Sequence, residues 1–416
     1  MVQEISLSSP LSISKFFKTI FLLILTASVL ILFNLSCSKN PADSNGGKDD
    51  KDAIDLDSLA YARNFIPIST YHELSQIGIA KNLPLDTNYM LTSDIDASPS
   101  KRLKFEPIGS RTNVFTGEFD GYGHTVKNLY IRLPDNADVG LFGFVDGAKI
   151  YRLHVEADSI AGGMNLNIGE VNVGGIVGFA QNSLIDSCSF KGVVKGKHWA
   201  GGIAGTAFST MISRSISKGT VLSVTDNIGS IGGTAGGIAG ALENGAIVDR
   251  SYSSADVTGG HNTGGLVGHS DRGVISYSYS TGSVSGGVGL TGGLLGSVHY
   301  GTVTESYSTG KVSWTPTLQS NAGGLIGRIN QSAIVRSYWD ITRSLMDESG
   351  GRRDTAIVID TDGAPRDTVI SIGEQGRDST RMLQRDTYTG WDFIDTWVID
   401  EKKSTPYFRW HPSSAP

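Results

Sequence analysis

The chain has 416 residues, and 35 basic against 41 acidic side chains leave a net charge of −6. With no basic stripe along it, that balance excludes the electrostatic footprint of a nucleic-acid binder. Its 2 cysteines exclude a disulfide framework, while 53 glycines point to a chain with many tight bends.

The first segment reads as a targeting signal. Lys15 and Lys18 precede an apolar run from Ile20 to Phe33, and Leu35-Ser36-Cys37 follows. A basic flank, an apolar core and a small residue before the cut describe a secretory signal. Cysteine directly after Leu-Ser resembles the bacterial lipoprotein signal, which implies removal of residues 1–36 and lipidation of Cys37. Asn34 departs from the Leu usual three positions before that cysteine. Ser38 carries no acidic retention signal, which by analogy favours the outer membrane. Residues 37–65 then read as a flexible tether, since Ser38 to Asp52 is too polar to bury a core.

Residues 66–134 read as an N-terminal cap with lead-in coils. Thr70-Tyr71-His72-Glu73 has capping-box spacing and opens a helical stretch to about Ala80. Tyr89 to Asp96 reads as the strand that opens the array.

Residues 135–340 repeat. Gly-Gly-(Leu/Ile)-x-Gly stands at Gly174–Gly178, Gly201–Gly205, Gly236–Gly240, Gly264–Gly268, Gly292–Gly296 and Gly323–Gly327, with a degenerate copy at Val139–Gly143. The period is roughly 28 residues, the mark of an array whose units bury their apolar faces against one another. A second landmark travels with it: Ser187-Cys188-Ser189, Ser215-Ile216-Ser217, Ser251-Tyr252-Ser253, Ser278-Tyr279-Ser280, Ser306-Tyr307-Ser308 and Ser337-Tyr338-Trp339. Three residues before each leading Ser is an apolar residue (Leu184, Ile212, Val248, Ile275, Val303, Ile334). Six after it comes Val221, Val257, Val284 or Val312, and Val194 fits if that copy carries one extra residue.

Patches this short suit strands and not helices. No proline interrupts the chain between Pro134 and Pro316, as ladders that need every N–H require. The fold class is therefore all-β: a parallel β-helix, right-handed by the crossover rule, with glycines at positive-φ corners. Seven coils at about 4.8 Å spacing make a rod on the order of 30–35 Å. In this alignment Tyr252, Tyr279, Tyr307 and Tyr338 stack, and Cys188 fills the tyrosine position of its copy as a small buried hydrophobe. Strict in–out alternation fails at Asp186, Arg214, Arg250, Glu305 and Arg336, which places a bend or bulge there. Residues 341–381 read as a polar loop, and 382–416 as a C-terminal cap. Trp391, Phe393, Trp397, Tyr407, Phe408 and Trp410 make that cap apolar enough to plug the open end.

These residues resemble the GLUG-motif family. The resemblance rests on Phe115-Thr116-Gly117-Glu118-Phe119-Asp120-Gly121-Tyr122-Gly123-His124-Thr125-Val126, on the glycine and Ser-Tyr-Ser alternation, and on Tyr388 to Phe393 with Trp397 to Asp400. It implies secreted or surface-attached bacterial proteins with β-helical stalks, including adhesin-like proteins and non-catalytic regions of some immunoglobulin-A peptidases. The motif itself implies no chemistry.

Candidate chemistry is thin. His72-Glu73-Leu74-Ser75-Gln76 begins like a zinc-peptidase helix but has Gln76 where the second histidine must stand. Gly287-Val288-Gly289-Leu290-Thr291-Gly292 spells a dinucleotide fingerprint, yet falls inside the repeat with no helix to meet a pyrophosphate. Asp360-Thr361-Asp362-Gly363 and Asp94-Ile95-Asp96 have calcium-like spacing, but Val369 and Val358 occupy ligand positions of the former. Polysaccharide cleavage needs converging carboxylates. Asp186, Asp249, Asp256, Asp271 and Glu305 are the outward candidates, at different repeat positions. Trp199 and Trp314 are candidate stacking platforms for sugars or protein contacts. With no catalytic, cofactor or metal motif, the expectation is a non-catalytic, lipid-anchored adhesion or structural module needing no cofactor. Its partners would be the membrane through Cys37 and a glycan or host-matrix protein. A polysaccharide-active enzyme and a passive spacer are the alternatives.

Overall fold

One repeat makes one coil of four strands, as in Leu184–Asp186, Ser189–Gly196, Trp199–Gly201 and Ala204–Phe208. Each strand pairs in parallel with its counterparts one coil before and after. Four sheets result, of 11, 13, 7 and 8 strands, here called first to fourth in the order a coil visits them. The chain is a parallel β-helix. The computed structural model describes residues 59–60, 63–166, 170–223, 233–317, 321–346, 350–354, 357–359 and 376–411. Residues 1–36, Cys37 and the proposed tether up to Asp52 therefore lie outside the described residues. Among the described residues no helix is long and apolar enough to cross a membrane.

The interior is a stack of apolar columns. Ile185, Ile212, Val248, Ile275, Val303 and Ile334 form one, each at most 1% exposed. The sequence alignment had placed Leu184 in that column, but the observed register pairs Ile185 with Ile212. The same one-residue offset moves Cys188. Ser189, and not Cys188, pairs with Ile216, which pairs with Tyr252. Cys188 thus stands in the leading-serine column and faces the core, where burial pushes its thiol up to about 12. Val194 pairs directly with Val221, so no extra residue is needed.

The leading serines close a hydrogen-bonded ladder. Ser251 Oγ donates to Asp249 O at 2.9 Å and accepts from Ser215 N at 3.0 Å. Ser278 and Ser306 repeat the arrangement, accepting from Ser251 N and Ser278 N. These hydroxyls satisfy backbone groups at a corner where the strand ladder breaks. The corner itself is left-handed: Arg152, Ser187, Arg214, Arg250, Tyr277, Glu305 and Arg336 have φ between 43° and 54°. This is the bend expected from the failed alternation. A second left-handed column follows the fourth sheet, at Asn182, Ser209, Asn244, Arg272, Tyr300 and Gln331.

The paired glycines do something else. Gly265 and Gly293, expected at positive-φ corners, are absent from the left-handed residues. Their restriction is space. A Cβ on Gly265 would stand 2.2 Å from Gly293 O on the next coil and 2.9 Å from the Ser280 side chain. One on Gly293 would stand 2.1 Å from Gly324 O. Glycine lets successive coils and the inward serines approach to hydrogen-bonding distance, as in Ser280 Oγ to Gly293 O at 2.6 Å.

Both ends depart from the expected boundaries. The first sheet begins at Ile66–Ile68, ahead of the strand Tyr89–Leu91, so 11 strands replace the seven coils read from the motif. The helix Tyr71–Gln76, shorter than expected, adds Leu74 to the main core with Ile77 just beyond it. The segment 341–381, read as a polar loop, carries strands Gly350–Asp354, Ile357–Ile359 and Gly376–Arg377 that extend the fourth, first and second sheets.

Candidate functional site

Carboxylates at the left-handed corner are tied down. Asp120, with no exposed surface, accepts from Arg63 at 3.3 Å and from Arg152. Asp186 takes Arg214 Nη2 at 2.5 Å, and Asp249 takes Arg250 Nε at 2.7 Å and Ser276 Oγ at 2.7 Å. Glu305, only 3% exposed, takes Arg336 Nη2 at 2.5 Å. Burial pushes the Glu305 carboxyl above its ordinary range although Arg336 pulls the other way. Of the other two outward candidates, Asp271 pairs with Arg272 at 2.7 Å at the end of the fourth sheet, and Asp256 accepts from Ser283 N at 3.1 Å on the second. The five therefore sit on three different faces, and the arginines make the corner acids structural clamps.

The second sheet carries the tyrosines outward, apart from the main core. Tyr252, Tyr279 and Tyr307 stack with centroids 4.8 Å apart and ring planes within 5°. The closing segment, expected to plug the end, instead lies along this ladder. Met382, Tyr388, Trp391, Trp397 and Phe408 form one buried cluster with Ile216 and the four tyrosines. Trp391 meets Tyr338, Trp397 meets Tyr279 and Tyr307, and Phe408 meets Tyr252. Trp391 Nε1 donates to Arg336 O at 2.9 Å, and Tyr307 Oη to Pro406 O at 2.5 Å. The strap thus covers four coils from the side. Its stack ends at Trp410, 36% exposed, over Phe408 at 5.2 Å.

Third and fourth sheets meet at a re-entrant seam. A Cβ on Gly201, outward on the third, would lie 1.9 Å from Ala204 O; one on Gly240, on the fourth, would lie 2.8 Å from Ala200 N. Small residues let the two outer faces close. Thr206 Oγ1 donates across the seam to Asn172 Oδ1 at 2.6 Å, and Asn172 Nδ2 to Asp138 Oδ1 at 2.7 Å. Aromatic groups line its rim. Phe144 and Phe179 stack at 5.0 Å with Arg111 over both rings, and the Trp199 ring lies 6.2 Å from His269. Trp314 is 37% exposed at the end of the second sheet, and Tyr300 57% exposed on the left-handed corner after the fourth.

Other sequence candidates resolve simply. Thr70 and Glu73 make the capping box, with Glu73 N to Thr70 Oγ1 at 3.2 Å and Thr70 N to Glu73 Oε2 at 3.0 Å. Gly287 and Gly289 lie between the strands Val284–Gly286 and Leu290–Gly292, with no helix following. Asp94 is held by Lys127 at 2.7 Å and by Thr125 N, which draw its carboxyl down to about 2. Asp360 to Gly363 lie outside the described residues. Sequence spacing missed two rung pairs, His154 Nδ1 to Ser189 Oγ at 2.7 Å and His269 Nδ1 to Ser297 Oγ at 2.8 Å. Their members are 35 and 28 residues apart, and only the coil register unites them.

A family model described as the GLUG motif matches residues 259–285, the coil that contains Gly264–Gly268 and Tyr279. The glycine and serine landmarks of that matched coil recur in its neighbours. Halomucin from Haloquadratum walsbyi is 32% identical over 163 residues, covering 36% of this chain and 2% of that protein. Immunoglobulin A1 protease from Streptococcus sanguinis is 27% identical over 221 residues, covering 46% and 11%. The chain thus spans a small fraction of the length of these relatives. A crystal structure from Bacteroides ovatus, provisionally described as an immunoglobulin A1 protease, is 15% identical, with 83% of this chain and 92% of that one covered at a TM-score of 0.45.

Proposed function

We propose that the GLUG array is a surface-displayed binding module, held to the cell envelope by a lipid on Cys37 and presenting its seam and exposed aromatics to a glycan or matrix protein. One observation carries this reading. The outer faces of the stack keep aromatic rings accessible (Trp314 and Tyr300), while the corner carboxylates are each neutralised by an arginine. Flat rings stack on sugars and anchor protein contacts, whereas a clamped carboxylate is poorly placed to move protons to a substrate. The names of the relatives, one a mucin and the other a protease, accord with an extracellular location.

The test incubates the chain with a panel of glycans and matrix proteins and records bound material and released fragments together. Retention without fragments is the expected result, weakened by Trp314→Ala. Released oligosaccharide would replace this reading with a polysaccharide-active enzyme, and silence in both channels would favour a passive spacer. Anchoring is read separately: a radiolabelled fatty acid should enter the wild-type chain and not Cys37→Ala.

A further inference from the structure

The column of the stacked tyrosines does not end at Tyr252. Continued towards the N-terminus it passes through Ile216 to Ser189, His154 and Thr125. The side chains change from aromatic to polar past Tyr252, whose ring stands 6.2 Å from that of His411. Just past that point Ser189 Oγ and His154 Nδ1 are 2.7 Å apart, and both residues are half-buried. A hydroxyl and an imidazole within this distance are the minimum apparatus of a nucleophile and its base. Burial holds the His154 imidazole below its ordinary range, with the Asp94 carboxylate pulling the other way, so it is unprotonated and able to accept at neutral pH.

We propose that Ser189 is a nucleophile and His154 its base, acting on carboxylic esters. Ser189 Oγ bonds to the acyl carbon as its proton passes to His154 Nδ1. The bond to the ester oxygen then breaks, and the departing alcohol takes that proton. Water attacks the acyl-serine, giving a proton to His154 that returns to Ser189 as the acid leaves. This goes beyond ligand binding and uses none of the residues assigned to it. The second rung pair is an internal comparison: Ser297 is 1% exposed and out of reach of any substrate.

The experiment treats the full chain with a fluorophosphonate and locates the adduct by peptide mass mapping. The adduct should sit on Ser189 and not on Ser297, and His154→Gln should slow its formation by about 100-fold or more. Should that variant fail to fold, the wild-type labelling rate must still climb with pH through the His154 titration and level off by neutrality. No adduct on Ser189, an equal rate in folded His154→Gln, or a pH-independent rate would each overturn the proposal. A chain that binds its glycan yet takes no label removes this activity and leaves the binding function standing.

Discussion

Exchanging one glycine for alanine separates two explanations for the glycine content of the array. Gly265 has an ordinary φ but no room, since its Cβ would meet Gly293 O at 2.2 Å, well inside the 3.4 Å at which ordinary contact begins. Gly245 has room but a left-handed φ of 78°, with nothing within 4 Å of its Cβ. For Gly245→Ala the cost is the left-handed backbone alone, about 1–2 kcal/mol. For Gly265→Ala the obstacle is backbone on a coil fixed by ladders on both sides, so it cannot swing away like a side chain. Overpacking of this kind costs about 1–3 kcal/mol in cores that relax, and this site should lie at or above the upper end. Urea unfolding followed by circular dichroism measures both variants against wild type, with the slope checked for a change in cooperativity. Gly265→Ala should lose at least about 1 kcal/mol more than Gly245→Ala. If Gly245→Ala is the more damaging, close coil approach is not what selects the paired glycines.

Three further outcomes follow from the contacts. Ser251→Ala leaves Ser215 N buried without its acceptor and should cost about 1–3 kcal/mol in the same assay, whereas a surface change such as Thr258→Ala should be near neutral. Trp397→Ala, at the centre of the strap, should cost about 3–5 kcal/mol or release the strap, which dye binding to the uncovered tyrosine ladder would report. Burial first, then repulsion from His299, lowers the pKa of His269 to about 4, against 6.5 in the unfolded chain. The unfolded state therefore binds the extra proton as pH falls, so stability is full above about 6.5, declines towards 4 by on the order of 3 kcal/mol, and loses no more below. His269→Gln should flatten that limb of the stability–pH curve, and an unchanged slope would assign it to another group.

The parts of this protein legible from sequence are those set by local or nearest-coil periodicity. Repeating Gly-Gly-x-x-Gly and Ser-x-Ser units dictated a β-helix, since residues one period apart must stack whatever the coil's cross-section. The capping box at Thr70 was readable because its four residues satisfy one another. Even the corner at Arg214 and Arg250 showed itself as a fault in alternation. Register was less visible. With serines on both sides of Cys188, either could lead, and a slip of one residue exchanges the core for the solvent face. Tertiary structure alone decided that Cys188 lies inside and Ser189 in the tyrosine column. It also placed polar residues at the left-handed corners and glycines where backbones crowd, because crowding is a property of neighbouring coils and not of the residue. The strap's course was equally hidden. Trp391, Trp397 and Phe408 announced that something apolar must be covered, but the end of the stack and its side offer the same hydrophobic gain. Only the outward tyrosine ladder, a surface that exists once its four coils have closed, determined which they would cover.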